Sequence, residues 1–322
     1  MTIKQAADAI KSSGSVALIA HMMPDGDTLG SSLAMYHALN CLGKKTGLFC
    51  QDPPPDTYLF LKGIDRFKCA PDTTGSYELC IAIDCSDLDR LGSLIPVFKS
   101  SGRTLNIDHH KSNTCYADLN LVDENAAATG ELIYNVIESI GACISPEIAI
   151  ALYTAISTDT GNFSYSNTTP ASMRIAAGLI EAGVNVDEVT TRLYRTHSLH
   201  RIKLLSKVLA SLELYENNRI AFLTITRKDL EDTGAQASDL ENMVNYAKEI
   251  SGVELAVLFK ETSDGGTKVS IRTSDKLDAT KLALRFGGGG HIKAAGANMV
   301  MGIKDAKSEI LEASRTMLEE LS

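Results

Sequence analysis

Short apolar runs alternate with amphipathic segments through the first 190 residues of the chain. The runs Ser15–Ala20, Lys45–Cys50, Leu79–Asp84 and Arg103–Asp108 are largely apolar throughout, as in strands buried on both faces of a sheet. Helical patterns are found at 3–12, 28–42, 130–140, 146–157 and 171–182. This order favours an α/β domain, in which helices cover both faces of a doubly wound parallel sheet.

After about residue 195 the pattern becomes that of a smaller α+β domain. Strands are predicted at 220–226, 253–260 and 268–273, and a hairpin turn at 263–266 joins the last two. Helices are predicted at 239–250, 277–286 and 305–321, with a glycine-rich turn at Gly287–His291 before the last of them. The predicted organisation is a first domain at 1–190, a helical linker at 191–205 and a second domain at 206–322.

Composition and charge restrict the classes of function. Hydrophobic residues make up 44% of the chain and charged residues 22%, which is ordinary for a globular protein. No run approaches the ~18 apolar residues of a membrane span, and the N-terminus lacks signal-peptide features. We therefore expect a cytoplasmic protein without a membrane partner. The net charge of −9 argues against binding of long duplex nucleic acid, so an anionic substrate would be met locally by metal ions and a few basic side chains.

The seven cysteines do not form a recognisable metal or disulfide pattern. All of them lie in the first half of the chain, and no Cys-x-x-Cys sequence occurs. An odd number without paired spacing excludes a zinc ribbon and a secreted disulfide framework. We interpret them as reduced residues, most of them in the core.

Acidic residues and histidines follow several of the predicted elements. The candidate residues fall in four segments: His21, Asp25 and Asp27; Asp84; Asp108, His109 and His110; and Asp159. Ligands of α/β sheets bind beyond the carboxyl ends of the strands, so these segments are expected to converge. Taken singly, each has another explanation, since Asp-Gly is a common turn and a strand-end aspartate can cap a helix. Together they suit a pair of divalent cations such as Mn, Zn, Fe or Mg.

These four segments, with the sequences His21-x-x-Pro24-Asp25-Gly26-Asp27, Asp84, Asp108-His109-His110 and Thr158-Asp159-Thr160-Gly161, resemble the motifs of the DHH phosphoesterase superfamily. The segment from Gly287 to Gly296 resembles the signature of the DHH-associated C-terminal domain. Within the superfamily, the chain with its segment 162–169 is most similar to small oligoribonucleases that also dephosphorylate 3′-phosphoadenosine 5′-phosphate (pAp). The resemblance implies a DHH catalytic, metal-binding domain followed by a substrate-binding domain.

The resemblance also implies a division of the metal ligands. One cation would take His21, Asp25, Asp84 and Asp159, and the other would take Asp27, Asp84 and His109, with Asp84 bridging them. Mn²⁺ is the usual activator in the superfamily, while the residues themselves would equally suit Mg²⁺ or Co²⁺.

The resemblance implies a catalytic role for Asp84, which bridges the cations. It also implies catalytic roles for two residues of the Asp108-His109-His110 segment, Asp108 and His110. Asp108 would orient an imidazole without contacting the cation itself. His110 would lie near the scissile phosphate, either as a hydrogen-bond donor or as the acid for the leaving oxygen.

The C-terminal signature is implied to bind substrate. His291 and the backbone of Gly288, Gly289 and Gly290 would hold the non-scissile phosphate, together with Arg272, whose planar fork suits a phosphate. The alternatives are a flexible turn and a surface arginine. A domain that holds a terminal phosphate at a fixed distance from the metals would prefer very short chains. Phe163 or Tyr165 could stack on a base, although core packing explains them equally well.

The implied function is a metal-dependent phosphoesterase. It would hydrolyse short oligoribonucleotides to mononucleotides and pAp to AMP, using a water molecule activated by two metals. The alternatives are a phosphodiesterase for cyclic dinucleotides or for pApA and pGpG, a RecJ-like exonuclease, a manganese pyrophosphatase, and a non-catalytic nucleotide-binding protein. The expected partners are short RNAs or small phosphorylated nucleotides. Because dimers occur among the relatives, a homodimer is also possible.

Overall fold

The computed structural model describes residues 1–69 and 76–319. These residues form two compact units, one that ends at Thr196 and one that begins at His197, each with its own sheet and core. A short π-helical turn, Thr191–Arg195, closes the first unit, and the second begins with a helix from Leu199.

The first unit is built on a six-stranded sheet in which every neighbouring pair is parallel. Its strands, in chain order, are β1 (Ser15–Ala20), β2 (Lys45–Cys50), β3 (Lys68–Cys69), β4 (Leu79–Ile83), β5 (Thr104–Asp108) and β6 (Leu119–Val122). Their spatial order is β3-β2-β1-β4-β5-β6, so the chain order reverses direction between β1 and β4. Ligands of such sheets bind where the order reverses.

Helices cover both faces of this sheet, which confirms the predicted doubly wound α/β fold. They are α1 (Ile3–Ser12), α2 (Gly26–Cys41), α3 (Ile95–Ser100), α4 (Thr129–Ile140), α5 (Pro146–Asp159), α6 (Pro170–Glu181) and α7 (Val186–Thr190). Local sequence explains several boundaries. Ser145 caps α5 ahead of a proline, and Gly141 ends α4 in the left-handed conformation.

The second unit contains a mixed sheet of order β11-β12-β10-β9-β8-β7, in which only β8 and β9 pair in parallel among the described strands. The strands are β7 (Glu213–Tyr215), β8 (Ile220–Ile225), β9 (Leu255–Glu261), β10 (Thr267–Thr273), β11 (Gly289–His291) and β12 (Ala294–Met299). The helices are α8 (Leu199–Ala210), α9 (Arg227–Thr233), α10 (Met243–Lys248), α11 (Ala279–Leu284) and α12 (Ile303–Glu319). This is the α+β architecture expected from the sequence.

Two local predictions in the second unit were wrong. The helix predicted at 239–250 is broken, because Asn242 adopts a left-handed conformation with φ 59° between a 3₁₀ turn and α10. The glycine-rich turn predicted at 287–291 ends in strand β11, which pairs with β12 at the edge of the sheet. Glycine-rich segments lack the apolar alternation that marks a strand, so neither periodicity nor propensity indicated this pairing.

No helix in the described part of the chain is long and apolar enough to cross a bilayer.

Candidate metal centre

The four predicted segments converge at the carboxyl edge of the first sheet. His21 follows β1, Asp84 follows β4, and Asp108 is the last residue of β5. Asp25 caps α2 by accepting hydrogen bonds from the backbone of the first turn, and Asp159 is the last residue of α5. Strand ends and helix termini meet here because the sheet is parallel.

The ligand atoms form three overlapping groups: His21 with Asp25 and Asp84, Asp84 with His109 and His110, and Asp27 with His109 and Asp159. Asp84 therefore belongs to two of the groups. In the first group, His21 Nε2 lies 3.7 Å from Asp25 Oδ2 and 3.6 Å from Asp84 Oδ2. In the second group, His109 Nε2 lies 3.7 Å from Asp84 Oδ1. The two oxygens of this one carboxylate therefore face different sets of ligands.

Asp159 belongs to the third group, which shares His109 with the second. Its Oδ2 lies 3.2 Å from His109 Nε2, and Asp27 Oδ2 lies 3.9 Å from the same nitrogen. The implied division had placed Asp159 with His21 and Asp25, whereas its carboxylate lies at His109 in the structure. The end of α5 brings Asp159 to His109, which the order of motifs along the chain does not reveal.

The backbone of Asp84 is held in an unusual conformation. Its φ is 60°, in the left-handed region that side chains other than glycine, asparagine and aspartate rarely adopt. The N–H of Asp84 still donates to the carbonyl of Ile107, 2.9 Å away on β5. Its Oδ1 accepts a hydrogen bond of 2.8 Å from Thr129 Oγ1. The turn leaves the strand sharply and keeps the carboxylate buried at the junction of the first two groups.

The N-terminus of α4 holds Asp27. Thr129 N and Gly130 N donate to its two carboxylate oxygens at 2.6 and 2.9 Å, and Ser31 Oγ donates at 3.0 Å. Helix N-termini favour anions because their first N–H groups lack partners within the helix. Thr129 thus contacts both Asp27 and Asp84, and the sequence reasoning missed it because a threonine before a helix usually indicates only a cap.

The adjacent histidines face different partners. His109 Nδ1 lies 3.1 Å from the carbonyl of Ala126, which fixes the tautomer that leaves Nε2 free for a cation. His110 Nδ1 instead donates to Asp108 Oδ1 at 2.7 Å. Asp108 is fully buried, and Asn113 donates to its other oxygen at 2.5 Å. Asn113 is a second residue that the sequence reasoning missed, because a loop asparagine carries no distinctive spacing.

Burial and the neighbouring charges shift the pKa values of Asp27, Asp159 and His21. Burial raises the pKa of Asp27 well above its usual range, and repulsion from Asp84 and Asp159 raises it further. Burial likewise raises the pKa of Asp159 to about 7. For His21, burial lowers the pKa, but the contacts with Asp25 and Asp84 outweigh this and raise it to about 10.

The donor set fits divalent cations. Buried carboxylates that repel one another are costly unless a positive charge compensates them. Oxygen and imidazole donors without a thiolate suit Mn²⁺, Mg²⁺ or Co²⁺ better than soft ions. His21, Asp25 and Asp84 could hold one ion, and Asp27, Asp84, His109 and Asp159 a second.

Gly26 serves a purpose other than the sharp turn expected from the sequence. It is the first residue of α2, and its φ is not positive, so the backbone conformation there does not require glycine. A Cβ at this position would lie 2.4 Å from Thr158 Oγ1 on α5. The glycine is required because α2 and α5 approach closely, which brings the loop carrying Asp25 next to the end of α5.

The two aromatic candidates for base stacking differ in their surroundings. Phe163 packs on the core of the first unit, and its ring centroid lies 5.6 Å from that of Tyr153. Tyr165 is 58% exposed. Core packing therefore explains Phe163, and Tyr165 remains the candidate for stacking on a base.

In the second unit, Arg272 and His291 lie on the two strands that flank β12, and both pair with Ala294. Arg272 lies on β10 opposite Ala294 of β12, and His291 lies on β11 opposite the same alanine. Side chains of directly paired residues share a face, so these two point to the same side. Of the implied backbone donors, the N–H of Gly288 already donates to the carbonyl of Ala283 at 2.9 Å. The backbone of Gly289 and Gly290 belongs to the edge strand β11.

The chain is similar to known proteins along most of its length. It is 34% identical over 307 residues to the bifunctional oligoribonuclease and PAP phosphatase NrnA of Thermus thermophilus, covering 95% of this chain and 90% of that protein. It is 28% identical to the Bacillus subtilis protein of the same name, covering 88% and 89%. A crystal structure of an exopolyphosphatase-related protein from Bacteroides fragilis matches with a TM-score of 0.89 at 25% identity, covering 99% and 95%.

Two family models match the chain in the order expected from the motifs. The model of the DHH family, N-terminal domain, matches residues 15–156, which include the segments around His21, Asp84 and His109. The DHHA1 domain model matches residues 217–320, which include Arg272 and His291. The chain therefore belongs to the DHH family and carries a DHHA1 domain after its DHH domain.

Proposed function

We propose that the chain hydrolyses short oligoribonucleotides to mononucleotides and pAp to AMP, with two divalent cations in the first unit. Membership of the DHH family, with relatives named as oligoribonuclease and PAP phosphatase, makes the chain a hydrolase of phosphoester bonds. Two finer statements belong to the proposal: the number of cations and the pair of substrates.

The geometry of Asp84 carries the two-cation part of the proposal. One oxygen of this buried carboxylate lies 3.6 Å from His21 Nε2, and the other lies 3.7 Å from His109 Nε2. A two-metal site needs one carboxylate that contacts both ions. A hydrogen bond from Thr129 holds this carboxylate, so Asp84 would already be oriented before it took part in holding two ions.

The ligands suggest both the identity of the ions and their contribution. Mn²⁺ is the ion we propose, since the mixed carboxylate and imidazole donors suit it and it is the usual activator of the superfamily. A bound pair of this kind polarises a phosphoryl oxygen and supplies a nucleophilic water at neutral pH.

His110 is proposed as the residue that protonates or hydrogen-bonds the leaving oxygen. The hydrogen bond with Asp108 raises the pKa of His110, so the imidazole retains its proton more readily. About a third of the side chain is exposed, so it remains open to a substrate. Asp108 acts as a positioning residue, because it is fully buried and contacts only His110 and Asn113 among the residues named in the site.

Arg272 and His291 are proposed to hold the phosphate that is not cleaved. Their placement on either side of Ala294 gives two cationic or hydrogen-bonding groups on one face of the sheet. A site that recognises one phosphate at a fixed position favours substrates with few nucleotides. This supports pAp and short RNA over a long strand.

One assay panel tests the substrate assignment. The purified full chain, supplied with Mn²⁺, is compared on pAp, pyrophosphate, cyclic di-AMP and RNAs of two to twenty nucleotides. We expect release of phosphate from pAp and of mononucleotides from the shortest RNAs, with rates that fall as the RNA lengthens.

Two outcomes would contradict the proposal. Equal rates on two- and twenty-nucleotide RNA would remove the preference for short chains, and pyrophosphate or cyclic di-AMP as the best substrate would change the reaction assigned. The same panel with Mg²⁺, Co²⁺ and no added metal separates the choice of ion from the choice of substrate.

A further inference from the structure

One face of the second sheet carries polar side chains that the proposed reaction does not yet use. Along β10, Val269 and Ile271 are buried in the core, whereas Lys268 and Ser270 alternate with them and face the other side. Asn298 of β12 lies directly opposite Lys268 and is exposed. Within the described residues, no carboxylate lies at ion-pair distance from Lys268.

These side chains line a cavity of about 320 Å³. Its floor is formed by β10 and β12, and its wall is the segment 287–289. The wall fits closely against the floor, because a Cβ on Gly288 would lie 2.1 Å from the carbonyl oxygen of Gly296. The cavity therefore has a lysine, a hydroxyl and an amide around a glycine-lined wall.

A second lysine adds positive charge next to this cavity. Lys260 of β9 is the direct partner of Lys268 in the antiparallel pair, so the two side chains share a face. Like charges directly opposite one another destabilise a sheet. This occurs in a chain of net charge −9, in which a neutralising carboxylate would be easy to supply. An anion bound between the lysines would remove the repulsion.

The distance along β10 indicates which anion fits. Lys268 and Arg272 lie on the same face and are four residues apart, which separates them by about 13 Å in an antiparallel strand. One phosphate cannot contact both residues. A chain of several nucleotides can, since its phosphates repeat along the backbone.

We propose that Lys268, with Lys260, Ser270 and Asn298, binds a second phosphate of an oligoribonucleotide whose first phosphate is held beside Arg272. This inference rests on the proposed function and deepens it. Substrates of three or more nucleotides reach the second site, whereas pAp carries both of its phosphates on one nucleoside and does not. The cavity thus determines how strongly the enzyme binds its longer substrates.

The test is a comparison of substrates by length in Lys268→Gln. We expect KM for a tetranucleotide to rise about tenfold, as for loss of one charged hydrogen bond, while KM for pAp stays within about twofold. The slope of log affinity against log salt should fall by about 0.7, because one fewer phosphate is neutralised on a single strand. Lys228→Gln, an exposed lysine on α9 with the same change of charge, is the matched control.

Binding is measured separately from turnover, with a 3′-fluorescein tetranucleotide and fluorescence anisotropy of the full chain. Weaker binding by Lys268→Gln, and still weaker binding by the double variant with Lys260→Gln, is the expected result. Equal affinity of wild type and Lys268→Gln overturns the second site, as does an equal rise of KM for pAp and tetranucleotide. If wild type hydrolyses neither substrate, the proposed function fails, and the anisotropy still decides the phosphate site.

Discussion

The two sheets of this protein present their polar residues in different ways. In the first sheet, the polar residues of the site lie beyond the ends of parallel strands, while the strands themselves are buried on both faces. In the second sheet, they lie along the partly exposed face of β10, at every second residue. The first arrangement brings acidic and imidazole side chains together at one site. The second places basic and polar side chains at intervals along β10.

This difference matches two chemical tasks. Convergent strand ends can surround an ion, because ligands from several segments approach it from different directions. An open face can follow an extended chain, because positions along a strand repeat at regular intervals. The difference supports the proposal that catalysis takes place at the first sheet and that the second sheet recognises substrate. The following variants test that proposal, in order of expected effect.

Asp84→Asn should reduce turnover of every substrate by more than about 10³-fold. A carboxylate that bridges two cations, as proposed for Asp84, would stabilise the transition state by several kcal/mol, and each 1.36 kcal/mol corresponds to a factor of ten. Asparagine keeps the size of the side chain and tolerates the left-handed backbone at this position. Initial rates on pAp and a generic diester provide the measurement.

Asp118→Asn is the control for that variant, since Asp118 precedes β6 and bonds to Thr104 at the opposite end of the strands. Near-normal turnover by Asp84→Asn would remove the two-cation assignment.

Substitution of the adjacent histidines by glutamine should separate two roles within the first site. His109→Gln should lower both bound manganese and turnover, because a ligand is lost. His110→Gln should retain the metal while turnover falls about 10²- to 10⁴-fold, the usual contribution of a general acid. Elemental analysis after gel filtration gives the metal content, and loss of metal from both variants would contradict the division of roles.

Thr129→Val should lower activity or Mn²⁺ affinity about 10- to 100-fold, as is usual when a residue that orients a ligand is removed. Valine keeps the shape but leaves Asp84 Oδ1 without its 2.8 Å hydrogen bond. Thr154→Val is matched to it, since Thr154 is also buried and its hydroxyl bonds only to a helix carbonyl. Isothermal titration with Mn²⁺ distinguishes weaker binding from general destabilisation, which would affect both variants equally.

His291→Ala should have the smallest and most selective effect. Hydrolysis of bis-p-nitrophenyl phosphate should persist, whereas kcat/KM for pAp and dinucleotides should fall about 10- to 100-fold through loss of a charged hydrogen bond. Equal loss on all three substrates would mean that the second unit does not act in recognition alone. Thermal unfolding of the variant would then identify a defect in folding.

The residues of the candidate metal centre could be selected from the sequence because their signal is local. Strand β1 ends where the apolar run ends, so the strand was predicted at the observed residues, and the candidate ligand His21 follows it at once. The grouping of Asp159 with His109 was not predictable, since it depends on how α5 packs against α2 and α4. Thr129 and Asn113 were not predicted, because the residues that donate hydrogen bonds to Asp84 and Asp108 need no particular spacing in the sequence.

The second unit was harder to predict for a physical reason. Strand β11 consists of Gly289, Gly290 and His291, so it forms through pairing with β12 and not through intrinsic propensity. Lys268 and Lys260 look like ordinary surface lysines in the sequence. Only the antiparallel register places them side by side.

The left-handed backbone of Asp84 implies a trade-off between folding stability and activity. The left-handed conformation costs most side chains about 1–2 kcal/mol, and aspartate less than most because its short side chain can hydrogen-bond to the local backbone. Glycine avoids the cost altogether. Asp84→Gly should therefore melt at a higher temperature than the metal-free wild type, although it cannot turn over substrate. If its melting temperature were lower, the hydrogen bond from Thr129 would outweigh the strain. A higher melting temperature for Asp84→Gly would mean that the residue proposed to bind both cations also lowers the stability of the fold.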